Sequence, residues 1–120
     1  MSTPPGEGKN PEPAAYAGLV DTAWSIIDGL QRKYANGNRA LGWLAQKRWQ
    51  KAQSCIEQAL NIDPTGWRAL WARGKLLRTI GEHVQAWPLY ERALDNSSKD
   101  VGLLRDAVAI ALYRGDAQLG

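Results

Sequence analysis

The chain has 120 residues, of which 44% are hydrophobic, and a formal net charge of +3. This length provides one hydrophobic core, and because no apolar run approaches the length of a bilayer span, we expect no membrane insertion. The single cysteine, Cys55, cannot form an internal disulfide, and the first residues lack the basic start and apolar run of a secretory signal. We therefore expect a cytoplasmic protein.

The N-terminal segment, residues 1–14, contains four of the six prolines and almost no apolar side chains. Burial of such a segment cannot offset the entropy lost on ordering it, so we predict a disordered tail. Residues 15–35 then carry apolar side chains at intervals of three and four, which predicts an amphipathic helix. We expect this helix to cap the open side of the helices that follow.

The middle of the chain contains two predicted helical hairpins, over about residues 36–64 and over residues 65–98. In the first, we predict a turn at Lys47-Arg48 and an end at Asp63-Pro64, because proline disfavours helix in the residue before it. In the second, Gly81 breaks the helical pattern and Glu82 begins the next helix. Pro88 predicts a kink or a late start within that helix. A last amphipathic helix follows over residues 101–116.

The two hairpins share a pattern when the sequence is shifted by about 34 residues. Glu57-Gln-Ala-Leu60 falls on Glu91-Arg-Ala-Leu94, and the pairs Ala52 with Ala86, Ile56 with Tyr90 and Ala40 with Gly74 coincide. This pattern resembles the tetratricopeptide repeat over residues 33–116. The resemblance implies an all-α fold of antiparallel helical hairpins, stacked as a short right-handed superhelix, with residues 101–116 as a terminal half-repeat.

The same resemblance implies a concave groove, lined by the first helix of each hairpin, that binds a segment of a partner protein. The groove positions in this chain are Arg68, Trp71, Lys75, Arg78, Arg105, Leu41 and Tyr113. Residues 29–81 hold ten basic and two acidic side chains. An aromatic residue among bases suits an acidic or amphipathic partner segment, although solvation of the helix faces alone also explains the charge.

No residue pattern indicates catalysis or a metal site, because His83 is the only histidine and no cluster of His, Cys or acidic residues is present. We therefore expect no enzyme activity and no cofactor. The best interpretation is a non-catalytic interaction scaffold. Residues 42–44 resemble weakly the small repeat proteins of bacterial type III secretion, which implies a secretion chaperone. A docking or regulatory fragment of a larger repeat protein is the alternative, and nucleic acid is an unlikely partner because no reading motif accompanies the charge.

The last predicted helix carries more apolar side chains than one neighbouring hairpin can cover. Leu103, Leu104, Val108, Ile110 and Leu112 span more than one helical face. Since exposed apolar patches often mark interfaces, we predict self-association, or a bound partner helix, over Val108, Ile110 and Leu112.

Overall fold

The computed structural model describes residues 12–33, 42–97 and 99–119, with the side chains of residues 33 and 113–119 left out. This part of the chain contains five α-helices and no strand, so the predicted all-α class is confirmed. The helices are α1 (Ala14–Lys33), α2 (Trp43–Ile62), α3 (Trp67–Arg78), α4 (His83–Asn96) and α5 (Val101–Leu119).

Each helix packs against the next one in the chain, and α1 also packs against α3. The closest associations are those of α1 with α2 and of α3 with α4. Because only residues 79–82 connect α3 to α4, these two helices run antiparallel. The chain is therefore a stack of two helical pairs with α5 packed on α4 at one end.

The α3–α4 pair agrees with the sequence prediction. Gly81 has a φ of 80°, a left-handed conformation that glycine adopts without strain, and the Glu82 amide donates a hydrogen bond to the Leu77 carbonyl at 3.0 Å. Gly74 lies where the two helices cross, and a Cβ atom there would come within 2.5 Å of the Tyr90 ring. Helix α4 continues through Pro88, so the predicted late start is not seen.

The predicted hairpin over residues 36–64 is wrong. Helix α2 runs without a break through Lys47 and Arg48, where we expected a turn. Its apolar positions continue across that point at the spacing of a single helical face, and Lys and Arg are good helix formers. The members of that face are Ala45, Trp49, Ala52, Ile56 and Ala59, of which Trp49 is half-buried and the others are buried.

Helix α1 is the true partner of α2, rather than a cap on a completed hairpin. Ala23 on α1 is fully buried in one cluster with Ala52 and Ile56 on α2. Ala23 and Ala52 are thus small buried residues of one cluster, and in the α3–α4 pair Gly74 lies against the Tyr90 ring and the Ala86 carbonyl. The first helix that we had predicted for this pair, residues 39–46, begins among residues 34–41, which lie outside the described residues.

The two ends of the chain differ in part from the prediction. Residues 1–11 of the predicted tail lie outside the described part, but Glu12 forms an ion pair with Arg68 and α1 begins at Ala14. At the other end, α5 extends to Leu119 and buries Leu103, Ala107 and Ile110.

Helix α3 is the shortest of these five helices and the most enclosed. It has 12 residues, and every one of them is buried or half-buried. Its neighbours α1, α2 and α4 pack around it. The Trp49 indole on α2 also donates a hydrogen bond to the Leu76 carbonyl at 3.0 Å, near the C-terminal end of α3.

Candidate functional site

Along the predicted groove, α3 contacts both α1 and α5, and Trp71 on α3 takes part in both contacts. Its ring lies edge-on to the Trp24 ring on α1, with a centroid separation of 4.8 Å. On its own helix, Trp71 stacks with Trp67 at 6.1 Å. The Trp71 indole Nε1 donates a hydrogen bond to Asp106 on α5 at 2.9 Å. The structure therefore brings Trp71 to the expected face, but as a joint between helices.

The basic side chains of this face are paired with acidic residues of the protein itself. Lys75 Nζ lies 3.3 Å from Asp106 Oδ2 and 5.5 Å from the centroid of the Trp24 ring. Arg68 donates hydrogen bonds to Glu12 and, at 2.6 Å, to Asp21. Burial lowers the pKa of Arg68, but these two carboxylates outweigh it and leave the pKa raised.

Arg78 has an internal partner too, although a weaker one. Its guanidinium donates a hydrogen bond to the Tyr90 hydroxyl at 3.4 Å. Burial raises the pKa of Tyr90 to about 12, against the opposing effect of Arg78. Arg68, Lys75 and Arg78 thus each contact a group of this chain, so a partner segment would compete with these contacts, and their role in partner binding stays a prediction.

Of the three other predicted groove residues, only Arg105 has a described side chain. Arg105 is exposed on α5. Leu41 lies outside the described residues, and Tyr113 belongs to the part of α5 whose side chains are left out. In the described part of the face, Asp106 joins Trp71 and Lys75 into one contact between α3 and α5.

A second surface, which the sequence analysis did not single out, lies between the C-terminal half of α1 and the N-terminal half of α2. We call it the α1–α2 cleft; its volume is about 730 Å³. Trp43 and Leu44 stand at its edge and are 68% and 69% exposed. The residues that line it are Gly29, Leu30, Gly42, Trp43, Leu44, Ala45, Lys47, Arg48 and Lys51.

Three cations surround this cleft, and none of them forms an ion pair within the described part of the chain. Lys47 and Lys51 are exposed one helical turn apart on α2, and Lys47 Nζ lies 4.9 Å from the centroid of the Trp43 ring. Arg48 reaches toward Gly29 on α1. The sequence does contain a signal for this basic surface, since residues 29–56 contain six basic and no acidic side chains. The charge count over residues 29–81 did not reveal this cluster of cations, because it also included the paired bases of α3.

The outer face of α5 is a third exposed surface. Val101, Leu104, Val108 and Leu112 are exposed at intervals of three and four residues along one side of the helix. Ile110, which we had placed on this surface, is 1% exposed and packs with Ala86, Tyr90 and Ala107. The predicted exposure of Val108 and Leu112 is confirmed, and that of Ile110 is wrong.

His83 and Cys55 are the histidine and the cysteine of the described part of the chain. No group of three or more His, Cys, Asp or Glu residues there is placed to hold a metal ion. Burial lowers the pKa of His83, and the nearby Arg78 lowers it further. Cys55 is buried. In the same part of the chain, no helix is both long and apolar enough to span a membrane.

Comparison with known proteins adds no assignment to these surfaces. No protein-family model matches the chain, and neither a curated protein nor a solved structure matches it.

Proposed function

We propose that this protein is a non-catalytic scaffold of the tetratricopeptide type that binds a segment of a partner protein. The observation that carries the proposal is the exposure of Trp43 and Leu44 on a rigid helix beside the α1–α2 cleft. Large apolar side chains next to a concavity are typical of protein interfaces, where tryptophan contributes more binding energy than most residues.

The packing of the helices supports the proposed family. In the first pair Ala23 and Ala52 are buried in one cluster, and in the second pair Gly74 lies against Ala86 and Tyr90. Such pairs stack into extended binding surfaces in helical-repeat proteins. The fold alone does not define a partner, because the same scaffold serves many functions.

Two narrower roles fit this scaffold. The first is a small cytoplasmic secretion chaperone that covers an apolar segment of its partner before export, which rests on the resemblance of residues 42–44 to such proteins. The second is a docking or regulatory unit of a larger repeat protein. They differ in effect, because a chaperone keeps its partner soluble when the two are expressed together, whereas a docking unit leaves partner solubility unchanged.

Nucleic-acid binding through the basic stretch is a weaker candidate. A tryptophan that stacks with bases needs an open ring face, and Lys47 Nζ over one face of the Trp43 ring leaves a single face for a base. The aliphatic side chains of Leu30 and Leu44 at the cleft also suit an amino-acid side chain better than a phosphate backbone.

Affinity capture followed by reconstitution tests the proposal. The tagged full-length chain is used to capture proteins from the native cell, and each captured protein is then purified and titrated with the chain by calorimetry. We expect at least one direct complex of defined stoichiometry. Captured proteins that all fail to bind as purified components would refute the scaffold function.

A further inference from the structure

We infer that the α1–α2 cleft is the docking site for an acidic segment of the partner protein, with an apolar side chain of that segment seated against Trp43 and Leu44. The inference rests on the proposed function and adds the location of the site and the chemistry of its occupant. It differs from the predicted groove, whose described residues lie on α3 and α5.

The distribution of paired and unpaired charge locates the site. On α3, Arg68 and Lys75 are partly buried and each contacts a carboxylate of this chain. On α2, Lys47 and Lys51 are exposed and form no ion pair with any described residue. The nearest acids along the chain, Asp28 and Glu57, form none either. A carboxylate-bearing ligand therefore gains more at the cleft, where it competes with no internal acid.

The apolar residues at the cleft determine which kind of side chain the partner segment must carry beside its carboxylate. Trp43 and Leu44 are about two-thirds exposed, and water contact of these side chains is unfavourable by about 25 cal/mol per Å² of apolar area. Lys47 holds its ammonium over one face of the Trp43 ring. This contact orders the ring and the cation together, so that an apolar side chain and a carboxylate reach adjacent positions.

The shape of the surface favours a peptide over a lipid surface. A bilayer presents a broad face and is bound by an amphipathic helix that lies flat on it. Here the cations and the apolar side chains border a cleft of about 730 Å³ whose opposite wall is α1, at Gly29 and Leu30. A side chain enters such a concavity, whereas a membrane surface does not follow it.

Two labelled peptides probe the site directly. One is a short peptide of leucine and glutamate, and the other replaces every glutamate by glutamine. We expect the glutamate peptide to bind the full chain more tightly, with an affinity that falls as salt is raised. In nuclear magnetic resonance spectra, the amide signals of Trp43, Leu44 and Lys47 should shift on binding. Signals that shift instead at Trp71 and Lys75 would overturn the inference and support binding at the predicted groove.

Two double charge reversals, one at the cleft and a matched control away from it, test the role of the cations. Lys47→Glu with Lys51→Glu should weaken the glutamate peptide about tenfold or more, because attraction at short range becomes repulsion. Arg92→Glu with Lys99→Glu changes the net charge equally at exposed positions on α4 and just after it. This control should weaken binding less than about twofold. Equal losses in the two double variants would show that only net charge matters and would overturn the inference.

The apolar contact has its own test. Leu44→Glu should abolish peptide binding without lowering the thermal unfolding midpoint, because Leu44 is exposed. A midpoint that falls would show that residues of this chain already cover Leu44, and the inference would fail. Binding of phosphatidylserine vesicles or oligothymidylate, with no binding of the glutamate peptide, would also overturn it.

The inference about the cleft and the proposed scaffold function can each be refuted without refuting the other. A reconstituted partner that binds the wild type and the Lys47→Glu, Lys51→Glu variant equally would overturn the cleft as the site and leave the scaffold function in place. A glutamate peptide that binds at the cleft, with no captured protein able to bind, would refute the scaffold function and leave the surface chemistry established.

Discussion

The Asp106 carboxylate on α5 holds Trp71 on α3 through a hydrogen bond of 2.9 Å from the indole nitrogen. The same carboxylate oxygen lies 3.3 Å from Lys75 Nζ. Both partners are one turn apart on α3, so a single acidic side chain joins the terminal helix to the centre of the stack. Residues predicted to bind a partner are thereby engaged in holding the protein together.

Replacing Asp106 tests this joint. Asp106→Ala removes the acceptor of Trp71 and the counter-charge of Lys75, and we expect the free energy of unfolding to fall by about 1–3 kcal/mol. Asp106→Asn retains an oxygen acceptor and should cost less. Asp95→Ala, at an exposed position of α4, is the control. Urea denaturation measures all three, and equal midpoints for Asp106→Ala and the control would contradict the prediction.

The close approach at Gly74 gives a second prediction. A Cβ atom added there would lie 2.5 Å from the Tyr90 ring, so Gly74→Ala should force α3 and α4 apart at a cost of about 1–3 kcal/mol. Gly18→Ala on α1 is the matched control, because nothing lies within 4 Å of its Cβ position. That change should stabilise the protein by up to about 1 kcal/mol through helix propensity. Thermal unfolding with both variants shifted in the same direction would refute this account.

Titration of Tyr90 predicts how stability changes at high pH. Burial raises the pKa of Tyr90 to about 12, whereas the residue ionises near pH 10 in the unfolded chain. The folded state therefore keeps its proton between these values while the unfolded state loses it, so stability is full below pH 10 and declines as pH rises toward 12.

The free energy of unfolding should decline by roughly 2–3 kcal/mol over this range, because the pKa of Tyr90 is about 12 in the folded state and about 10 in the unfolded state. Tyr90→Phe removes the ionisation, so its free energy of unfolding should decline less than that of the wild type over the same pH range. Urea denaturation from pH 9 upward, at constant ionic strength, measures the difference. Parallel curves for the two proteins would show that Tyr90 ionises equally in both states.

The two faces of α5 give a fourth prediction. Ile110 is 1% exposed, so Ile110→Glu places a charge in the core and should unfold or strongly destabilise the chain. Val108 is 57% exposed, so Val108→Glu should leave the unfolding midpoint nearly unchanged. Self-association through Val108 and Leu112 stays a prediction, and light scattering on the wild type and on Val108→Glu tests it. A wild-type chain that is monomeric at high concentration would exclude it.

The α3–α4 pair was predicted well from the sequence because the residues that end one helix and begin the next lie close together in the chain. Gly81 supplies a left-handed turn, and the spacing of Gly74, Ala86 and Tyr90 describes one helix crossing. Both signals lie within a few turns of each other, where periodicity is most informative. The face of α2 with Ala52, Ile56 and Ala59 was recognised for the same reason.

The first pair was assigned wrongly because a repeat of fixed length was assumed. The spacing that relates the second helices of the two pairs was extended to the first helices, which placed one at residues 39–46. The actual partner of α2 is α1, which is separated from it by a longer connection. Which helix covers which face is decided by tertiary packing, and no local pattern in α1 specifies that choice.

The predicted groove residues have internal partners that the sequence did not reveal. Trp71, Lys75 and Arg78 do lie on one side of α3, as their spacing requires. Their acidic or hydroxyl partners come from α4 and α5, at Tyr90 and Asp106. A charge count along the chain does not register such pairing across helices, whereas the exposed cations of the α1–α2 cleft have no such partner among the described residues.

The enclosure of α3 determines how this protein opens. An isolated helix of 12 residues is marginal in water, so α3 persists through the helices around it and not through its own propensity. Its amide protons should therefore exchange with solvent only when the whole stack unfolds, while the ends of α1 and α5 exchange through local fraying. The shortest helix should be the slowest to exchange, and its exchange rate should report the global free energy of unfolding.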